Sequence, residues 1–241
     1  MLQRSLVVCA ILAFTAGIAV ATFADFRVFL PGLLDGALIT IEITLGGCLL
    51  AVAMALIAAA ARMYGPAPVR WLAVGYIEVF RGTSALVQLF WLFFVLPHFG
   101  ILLEPITVAI VALGLNVGAY GAEVVRGAIN AVPRGQWEAT VALNMTRMEA
   151  LRRVILPQAF VAMIPPWGNL FIELLKATAL VSLITISDLA FKAQQMNQTT
   201  YRTVEIFTIV LVIYLAIATL ITIGMRTLEH YASRGLSRGR A

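Results

Sequence analysis

The chain has 241 residues, of which 61% are hydrophobic and only 12% are charged. Soluble proteins carry about 25% charged residues, so this composition excludes an ordinary soluble domain. It predicts an all-α, polytopic transmembrane helical bundle of about six spans of about 20 residues each. The net charge of +5 is compatible with nucleic-acid binding, but the basic residues are distributed as in a membrane protein, and no nucleic-acid partner is expected.

The first predicted span lies within residues 1–24. Arg4 precedes an apolar run that reaches Ala24, and Ala19-Val20-Ala21 resembles a signal-peptidase site. The run is longer than the roughly 7–15-residue core of a signal peptide. We therefore favour an uncleaved extra helix, with residues 1–30 as helix and outer linker, over a cleaved signal.

Five further apolar runs predict the remaining spans. They cover residues of about 36–61, 71–97, 105–129, 165–189 and 204–225. A polar outer loop at 192–202 precedes the last span. Gly114 and Gly118 have a small-xxx-small spacing that allows close approach of helices.

The basic residues are asymmetric with respect to these spans. Twelve of the 17 fall on one side: Arg4, Arg62, Arg70, Arg126, Arg134, Arg147, Arg152, Arg153, Arg226, Arg234, Arg238 and Arg240. Only Arg27, Lys192 and Arg202 fall on the other. The positive-inside rule therefore predicts that segment 132–158 and the tail at 230–241 are cytoplasmic.

Segment 132–158 is polar, yet it has the composition of a helix, a turn and a second helix. Pro133 suits a first helical position. Asn144 tolerates the left-handed conformation that ends a helix. Thr146 and Glu149 have the spacing of a capping box. Residues 156–157, Leu-Pro, are expected to close the second helix.

The second helix of this segment is amphipathic. Leu151, Val154 and Ile155 share one face, and Arg152 and Arg153 are expected in the last turn, where they would complement the helix dipole. Such a pair fits a partner's groove. The alternative is a pair lying flat on the lipid headgroups.

Several motifs together resemble the permease subunits of ABC importers in the polar amino-acid uptake family. Segment 132–158 is similar to that family's EAA loop: Glu138-Ala139 matches its opening and residues 155–157, Ile-Leu-Pro, match its close. Thr140 replaces the second alanine, and Asn144 replaces the usual glycine while still permitting a left-handed turn. Further matches lie at residues 76–83, 118–127 and 174–182, and the resemblance covers residues of about 33–229.

The resemblance implies a type I ABC importer permease of the bacterial inner membrane. Residues 31–229 would form the transmembrane domain, with the first helix as an addition. The transported solute would be a polar amino acid or an amino-acid-like compatible solute, because residues 77–97 and 113–145 look most like permeases for ectoine or hydroxyectoine.

The same resemblance implies the partners. The chain has two lysines, Lys176 and Lys192, and neither lies in a Gly-rich P-loop, so the chain is not its own ATPase. Two separate ABC ATPase subunits would bind ATP and Mg, and no cofactor or metal is expected in this chain. A second permease subunit, identical or related, would pair through the small-residue faces. A periplasmic binding protein would deliver the solute, and membrane lipids would surround the bundle.

The resemblance also assigns segment 132–158 to ATPase coupling. An L-shaped helix pair ending at Pro157 would transmit a rigid-body push to the spans. The expected coupling residues are Gly135, Glu138, Ala139, Asn144, Arg147, Arg153, Leu156 and Pro157.

Polar residues within spans are candidates for function because charges in a bilayer are costly. Asn169, Glu173 and Lys176 recur at i, i+4 and i+7, so they share one helix face. We expect this face to line the substrate path. The alternative is a Glu173–Lys176 ion pair that only locks helix packing. The family often has an aspartate where this chain has Ala177, which weakens inferences from amino-acid relatives.

Four further charges are candidates for a gate or for packing: Glu78, Arg81, Glu123 and Arg126. Glu123 and Arg126 are three residues apart, so a structural pair is expected. Asp188, at the outer end of the fifth predicted span, is expected to be solvated.

Three other classes of function compete with a permease. A purely structural membrane scaffold would explain segment 132–158 but would leave Asn169 and Glu173 without a role. An intramembrane enzyme is disfavoured, because the chain has only His98 and His230 and no H-E-x-x-H motif. A secondary transporter driven by an ion gradient would suit intramembrane Glu and Asn residues. It leaves the capped cytoplasmic segment without a role.

Overall fold

The computed structural model describes residues 26–237, and the described part is helical without strands. The prediction of an extra span in residues 1–24 lies outside this part. The helices are α1 Phe26–Tyr64, α2 Ala67–Gly82, α3 Ala85–Phe90, α4 Pro105–Asn130, α5 Arg134–Ala142, α6 Arg147–Ala150, α7 Leu156–Ala177, α8 Leu189–Thr200 and α9 Thr203–Ser237.

Four described helical segments are long and apolar enough to cross a membrane. They are Val28–Tyr64, Pro105–Asn130, Arg147–Ile184 and Thr203–Ser233. A helix pair, Ala67–Gly82 with Ala85–Phe99, makes a fifth if it is counted as one span. The predicted all-α polytopic bundle is thereby confirmed.

The third predicted span is broken. Helix α2 ends at Gly82, and Thr83 has an extended backbone with φ −119° and ψ 155°. The Thr83 hydroxyl donates to the Val79 carbonyl at 2.8 Å, which ties the helix end to the break. The apolar run at 71–97 concealed this interruption.

Two prolines follow π-helical turns. The Leu96 N–H donates to the Trp91 carbonyl before Pro97, and the Leu156 N–H donates to the Leu151 carbonyl before Pro157. A proline ring clashes with the carbonyl four residues earlier in a regular α-helix. A wider turn directly before the proline gives the ring room.

The expected helix end at Leu156-Pro157 is therefore wrong. The chain is helical without a break from Arg147 to Ile184. Helix α6, the π-turn Leu151–Ile155 and α7 follow one another directly, and α7 continues into a 3₁₀ segment, Thr178–Ile184. Arg152 and Arg153 lie in its interior and do not complement a helix end.

The prediction of an outer loop at 192–202 is also wrong for most of these residues. Residues Leu189–Thr200 form helix α8. Leu189 and Ala193 are buried and Met196 is partly buried, which gives the helix an apolar stripe at i, i+4 and i+7. The many polar residues between these positions obscured the stripe.

The backbone divides into two compact units. Unit 1 comprises the described parts of residues 1–47, 85–113 and 173–220. Its core packs the start of α1 against α8 and the start of α9, and the fully or nearly buried members are Phe29, Leu33, Ala37, Leu189, Ala193, Ile206, Ile209 and Val210.

Unit 2 comprises residues 48–84, 114–172 and the described part of 221–241. Its helices approach closely at glycines of α4. A Cβ on Gly118 would lie 3.1 Å from the Met54 Cβ, and one on Gly121 would lie 2.5 Å from the Trp167 ring. The small-residue face is thus used within the chain, which corrects its expected role in pairing with a second permease.

Candidate functional site

The first arm of segment 132–158 is α5, which begins one residue later than predicted. Pro133 is the N-cap residue, with an extended backbone, and it makes no side-chain cap. Thr140, which replaces the alanine of the family pattern, is 3% exposed. Its hydroxyl donates to the Trp137 carbonyl at 2.7 Å, so the polar group is satisfied inside the helix.

The turn after α5 is a Schellman motif. Asn144 has φ 53°. The Asn144 N–H donates to the Val141 carbonyl at 2.9 Å, and the Met145 N–H donates to the Thr140 carbonyl at 3.0 Å. These are the 5→2 and 6→1 bonds of the motif. The predicted left-handed turn at Asn144 is confirmed.

The second arm starts with the predicted capping box. The Glu149 N–H donates to the Thr146 hydroxyl at 3.3 Å, and the Thr146 N–H donates to the Glu149 carboxylate at 3.0 Å. The Thr146 hydroxyl also donates to that carboxylate at 2.8 Å. Both sides of the turn are therefore fixed by hydrogen bonds within eleven residues, 139–149.

A cleft of about 510 Å³ lies at this turn, in unit 2. Its lining comprises Met63, Tyr64, Ile129, Asn130, Trp137, Glu138, Thr140, Val141, Met145, Arg147, Ala150 and Leu151. The two arms thus contribute Glu138 and Arg147, which are both exposed. Trp137 also lines the cleft and is absent from the predicted coupling residues, although a tryptophan in a polar segment is a signal for a binding site.

The turn also exposes large apolar side chains. Val141 is 76% exposed, Leu143 69% and Met148 71%. Exposed apolar side chains grouped within a few residues mark sites of protein interaction more often than chance. This feature favours a protein partner for the turn.

The other predicted coupling residues, Gly135, Ala139, Arg153, Leu156 and Pro157, are all exposed. A link that was not predicted joins the two arms, because the Gln158 side-chain amide donates to the Gln136 side-chain oxygen at 3.2 Å and to the Val154 carbonyl at 3.0 Å.

The expected Glu123–Arg126 pair is present and has a third member. The Arg126 guanidinium donates to one Glu123 oxygen through Nη2 at 2.6 Å and Nε at 3.0 Å. Arg62 donates to the other oxygen. The spacing of three residues indicated Arg126, whereas Arg62 is distant in sequence and could not be found that way. The triad braces α1 on α4 within unit 2.

Glu78 and Arg81 do not pair with each other in the part of the chain that the structure describes. The Arg81 guanidinium lies 5.4 Å from the centroid of the Tyr120 ring. The Tyr120 hydroxyl donates to the Arg81 carbonyl at 3.4 Å. Arg81 thus makes a cation–π contact between α2 and α4, and Glu78 is exposed.

Asn169, Glu173 and Lys176 are all exposed on α7. No ion pair joins Glu173 to Lys176 within the described residues. The substrate-path assignment of these residues stays a prediction.

Comparisons with known proteins place this arrangement in a family. Residues 49–234 match the family described as binding-protein-dependent transport system inner membrane component. The chain is 43% identical over 216 residues to a probable amino-acid ABC transporter permease protein, y4tF, of Sinorhizobium fredii, which covers 87% of this chain and 91% of the relative. It is 43% identical over 185 residues to the L-cystine transport system permease protein TcyB of Bacillus subtilis, covering 77% and 79% of the two chains.

Among solved structures, the fold resembles the crystal structure of an amino acid ABC transporter with histidines. The TM-score is 0.81 at 35% identity, and the match covers 87% of this chain and 98% of that one. The chain therefore belongs to the family of inner-membrane components of binding-protein-dependent transport systems, the permease subunits of ABC importers.

Proposed function

We propose that this chain is the permease subunit of an ATP-driven importer that carries a polar amino acid or an amino-acid-like compatible solute across the bacterial inner membrane. Ectoine and hydroxyectoine are included in that class. The chain catalyses no covalent chemistry and holds no cofactor, because ATP and Mg are bound by two separate ATPase subunits.

The doubly capped turn at 143–146 carries this proposal. Its Schellman motif and capping box hold the two arms in one geometry, while Val141, Leu143 and Met148 stay exposed. A rigid amphipathic element with exposed apolar anchors fits a groove on a protein partner. Glu138 and Arg147 add opposite charges to the cleft beside it, which supports a directional contact with each ATPase.

The shared face of Asn169, Glu173 and Lys176 supports a solute path along α7. Exposed polar side chains on a helix that crosses a membrane are costly unless they face protein or a water-filled path. An amino acid or ectoine is a zwitterion, so a carboxylate and an amide suit its positive group and its hydrogen-bonding atoms. A second permease subunit and a periplasmic binding protein complete the path.

Co-purification tests the coupling site. Tagged permease is co-expressed with the genes next to its own, and ATPase retention is compared between the wild type and Glu138→Arg. Glu104→Arg is the matched control, because Glu104 is also an exposed acid and lies outside the turn. We expect the ATPase to be retained by the wild type and by Glu104→Arg, and to be lost or uncoupled in Glu138→Arg.

One outcome would contradict the proposal of an ATP-driven importer. If no ATPase accompanies the wild type in mild detergent, and uptake collapses when an ionophore dissipates the ion gradients, the chain is a secondary transporter.

Uptake in proteoliposomes tests the solute class. The assembled importer with its binding protein is offered radiolabelled cystine, glutamine, arginine and ectoine in turn. Glu173→Gln is expected to slow uptake of the accepted solute while ATPase retention is unchanged. Uptake at the wild-type rate in Glu173→Gln would remove this carboxylate from the path.

A further inference from the structure

A cluster of buried and partly buried polar side chains lies in unit 1. Thr40 of α1, Thr178 of the 3₁₀ segment and Asp188 are each 0% exposed. Tyr214 of α9 lies next to all three. The expectation that Asp188 is solvated is wrong, because helix α8 begins beside α1 and covers the carboxylate.

Asp188 is the N-cap of α8, but only one of its oxygens is used. Oδ1 accepts the Phe191 N–H at 2.9 Å. Among residues 26–237, Oδ2 is buried and makes no hydrogen bond, and the same is true of the Tyr214 hydroxyl. Unsatisfied buried polar atoms are rare in folded proteins and call for an explanation.

The hydroxyl groups of the two neighbouring threonines already donate their hydrogens to backbone carbonyls. The Thr178 hydroxyl donates to the Leu175 carbonyl at 2.7 Å. The Thr40 hydroxyl donates to the Gly36 carbonyl at 3.2 Å and accepts the Leu189 N–H. Both threonines therefore offer only lone pairs to the cluster. The Tyr214 hydrogen has acceptors there, and the Tyr214 oxygen is left to accept a hydrogen bond.

The surroundings disfavour a charged carboxylate. Tyr214 is the titratable group that faces Asp188 from α9, and the acids of α1 that lie nearest to Thr40 in sequence, Asp35 and Glu42, are exposed. Lys192 lies one turn further along α8 and is partly exposed. Burial raises the pKa of Asp188 to about 6 and outweighs the N–H groups of α8, which lower it.

We propose that Asp188 and Tyr214 form a buried proton-binding site that fixes the start of α8. A proton from water adds to Oδ2 and neutralises the carboxylate. The new O–H donates to the Tyr214 oxygen, and the Tyr214 hydrogen goes to the Thr178 hydroxyl oxygen. The chain of bonds ends at the Leu175 carbonyl, so each polar atom in it is satisfied. Asp188 is thus a positioning residue for α8.

The close approach of α8 to α1 explains why the site acts on the helix. A Cβ on Gly36 would lie 2.8 Å from the Asp188 carbonyl oxygen and 3.0 Å from the Leu189 Cα. The Leu189 N–H also donates to the Thr40 hydroxyl at 3.2 Å. An unpaired negative charge between these contacts weakens the docking of the first turn of α8.

Infrared titration tests the proton directly. The purified permease in nanodiscs is titrated from pH 5 to pH 8, and the carbonyl stretch of a protonated carboxyl group is followed in the wild type, Asp188→Asn and Tyr214→Phe. We expect a band with a midpoint near pH 6 that is absent in Asp188→Asn. Tyr214→Phe, which removes the acceptor, shifts the midpoint to lower pH.

Three results would overturn the proposal. They are a titrating band that persists in Asp188→Asn, the absence of a titrating band in the wild type, and a midpoint unaffected by Tyr214→Phe. The titration is repeated with sodium replaced by choline. A midpoint that moves with sodium would show that a metal cation, and not a proton, is the ligand.

Hydrogen exchange gives a second readout. The folded pKa lies above the ordinary value, so stabilisation by the proton is complete at low pH and is lost as the pH rises through about 6. The opening constant of the first turn of α8, corrected for intrinsic exchange, is expected to rise about tenfold from pH 5 to pH 7.5. Asp188→Asn should abolish the rise and Asp35→Asn should preserve it. A rise that survives in Asp188→Asn would count against the site.

Discussion

Two turns in this protein are built alike and buried differently. At 144–146, Asn144 with φ 53° precedes the Thr146 cap. At 185–188, Thr185 with φ 66° precedes the Asp188 cap. The first turn is exposed, whereas Asp188 is fully buried.

The difference shows that burial decides what a helix cap can do. In the exposed turn the cap is paired reciprocally, since Thr146 and Glu149 satisfy one another's groups. In the buried turn the cap leaves one oxygen without a partner in the described part of the chain. The exposed turn is therefore held in one geometry by its own hydrogen bonds, and the buried turn is sensitive to protonation in the site proposed for Asp188.

The largest effect is expected from crowding the buried turn. Gly36→Ala places a Cβ 2.8 Å from the Asp188 carbonyl oxygen, and the contact is with backbone that cannot rotate away. Overpacking of this kind costs about 1–3 kcal/mol in the free energy of unfolding. Denaturant unfolding in detergent, followed by circular dichroism, measures it.

Gly75→Ala is the control for that substitution. A Cβ on Gly75 meets nothing within 4 Å, and Gly75 lies within helix α2. Replacing it should stabilise the protein by about 0.5–1 kcal/mol. Equal effects of the two substitutions would mean that α8 does not approach α1 as closely as the structure shows.

The next effect is expected at the exposed turn. Asn144→Val forces a β-branched residue into the left-handed conformation, which costs about 1–2 kcal/mol. If the turn binds an ATPase subunit, as proposed, ATPase retention should fall as well. Asn144→Gly tolerates the same conformation and should retain the ATPase. A Val variant that retains it fully would separate turn geometry from coupling.

A smaller loss is expected when the capping box is removed. Thr146→Ala eliminates the hydroxyl that accepts the Glu149 N–H and costs about 1 kcal/mol. Thr146→Ser keeps the hydroxyl and should unfold like the wild type. Chemical unfolding should give a higher free energy of unfolding for Thr146→Ser than for Thr146→Ala. Equal free energies of unfolding would indicate that solvent replaces the cap.

The smallest effect on the free energy of unfolding is expected at Gly135, a residue predicted from the sequence to take part in ATPase coupling. A Cβ there meets nothing within 4 Å. Gly135→Ala should change the free energy of unfolding by less than about 0.5 kcal/mol, as exposed substitutions usually do. A loss of ATPase retention without a loss of stability would show that the partner, and not the fold, requires a glycine here.

The features predicted correctly from sequence are those made by near neighbours in the chain. The Asn144 turn, the Thr146–Glu149 box and the Glu123–Arg126 pair each involve residues within about one helical turn of each other, so spacing reveals them. The family motifs added the assignment to permeases, which composition could not supply.

The features that were missed depend on residues far apart or on subtle backbone changes. Arg62 reaches Glu123 across 61 positions. Asp188 is buried among residues distant in sequence, Thr40 of α1 and Tyr214 of α9. A proline usually stops a helix, so the sequence predicts a helix end at Pro157. The π-turn before Pro157 lets the helix continue, and the residue pattern gives no sign of this turn.

The local character of the coupling turn has a consequence for the order in which the protein folds. All of the hydrogen bonds that cap it connect residues within 139–149. Contacts so close in sequence form on the scale of microseconds, ahead of long-range packing. The hydrogen bonds of this turn are therefore expected to form before the long-range packing that brings the spans together.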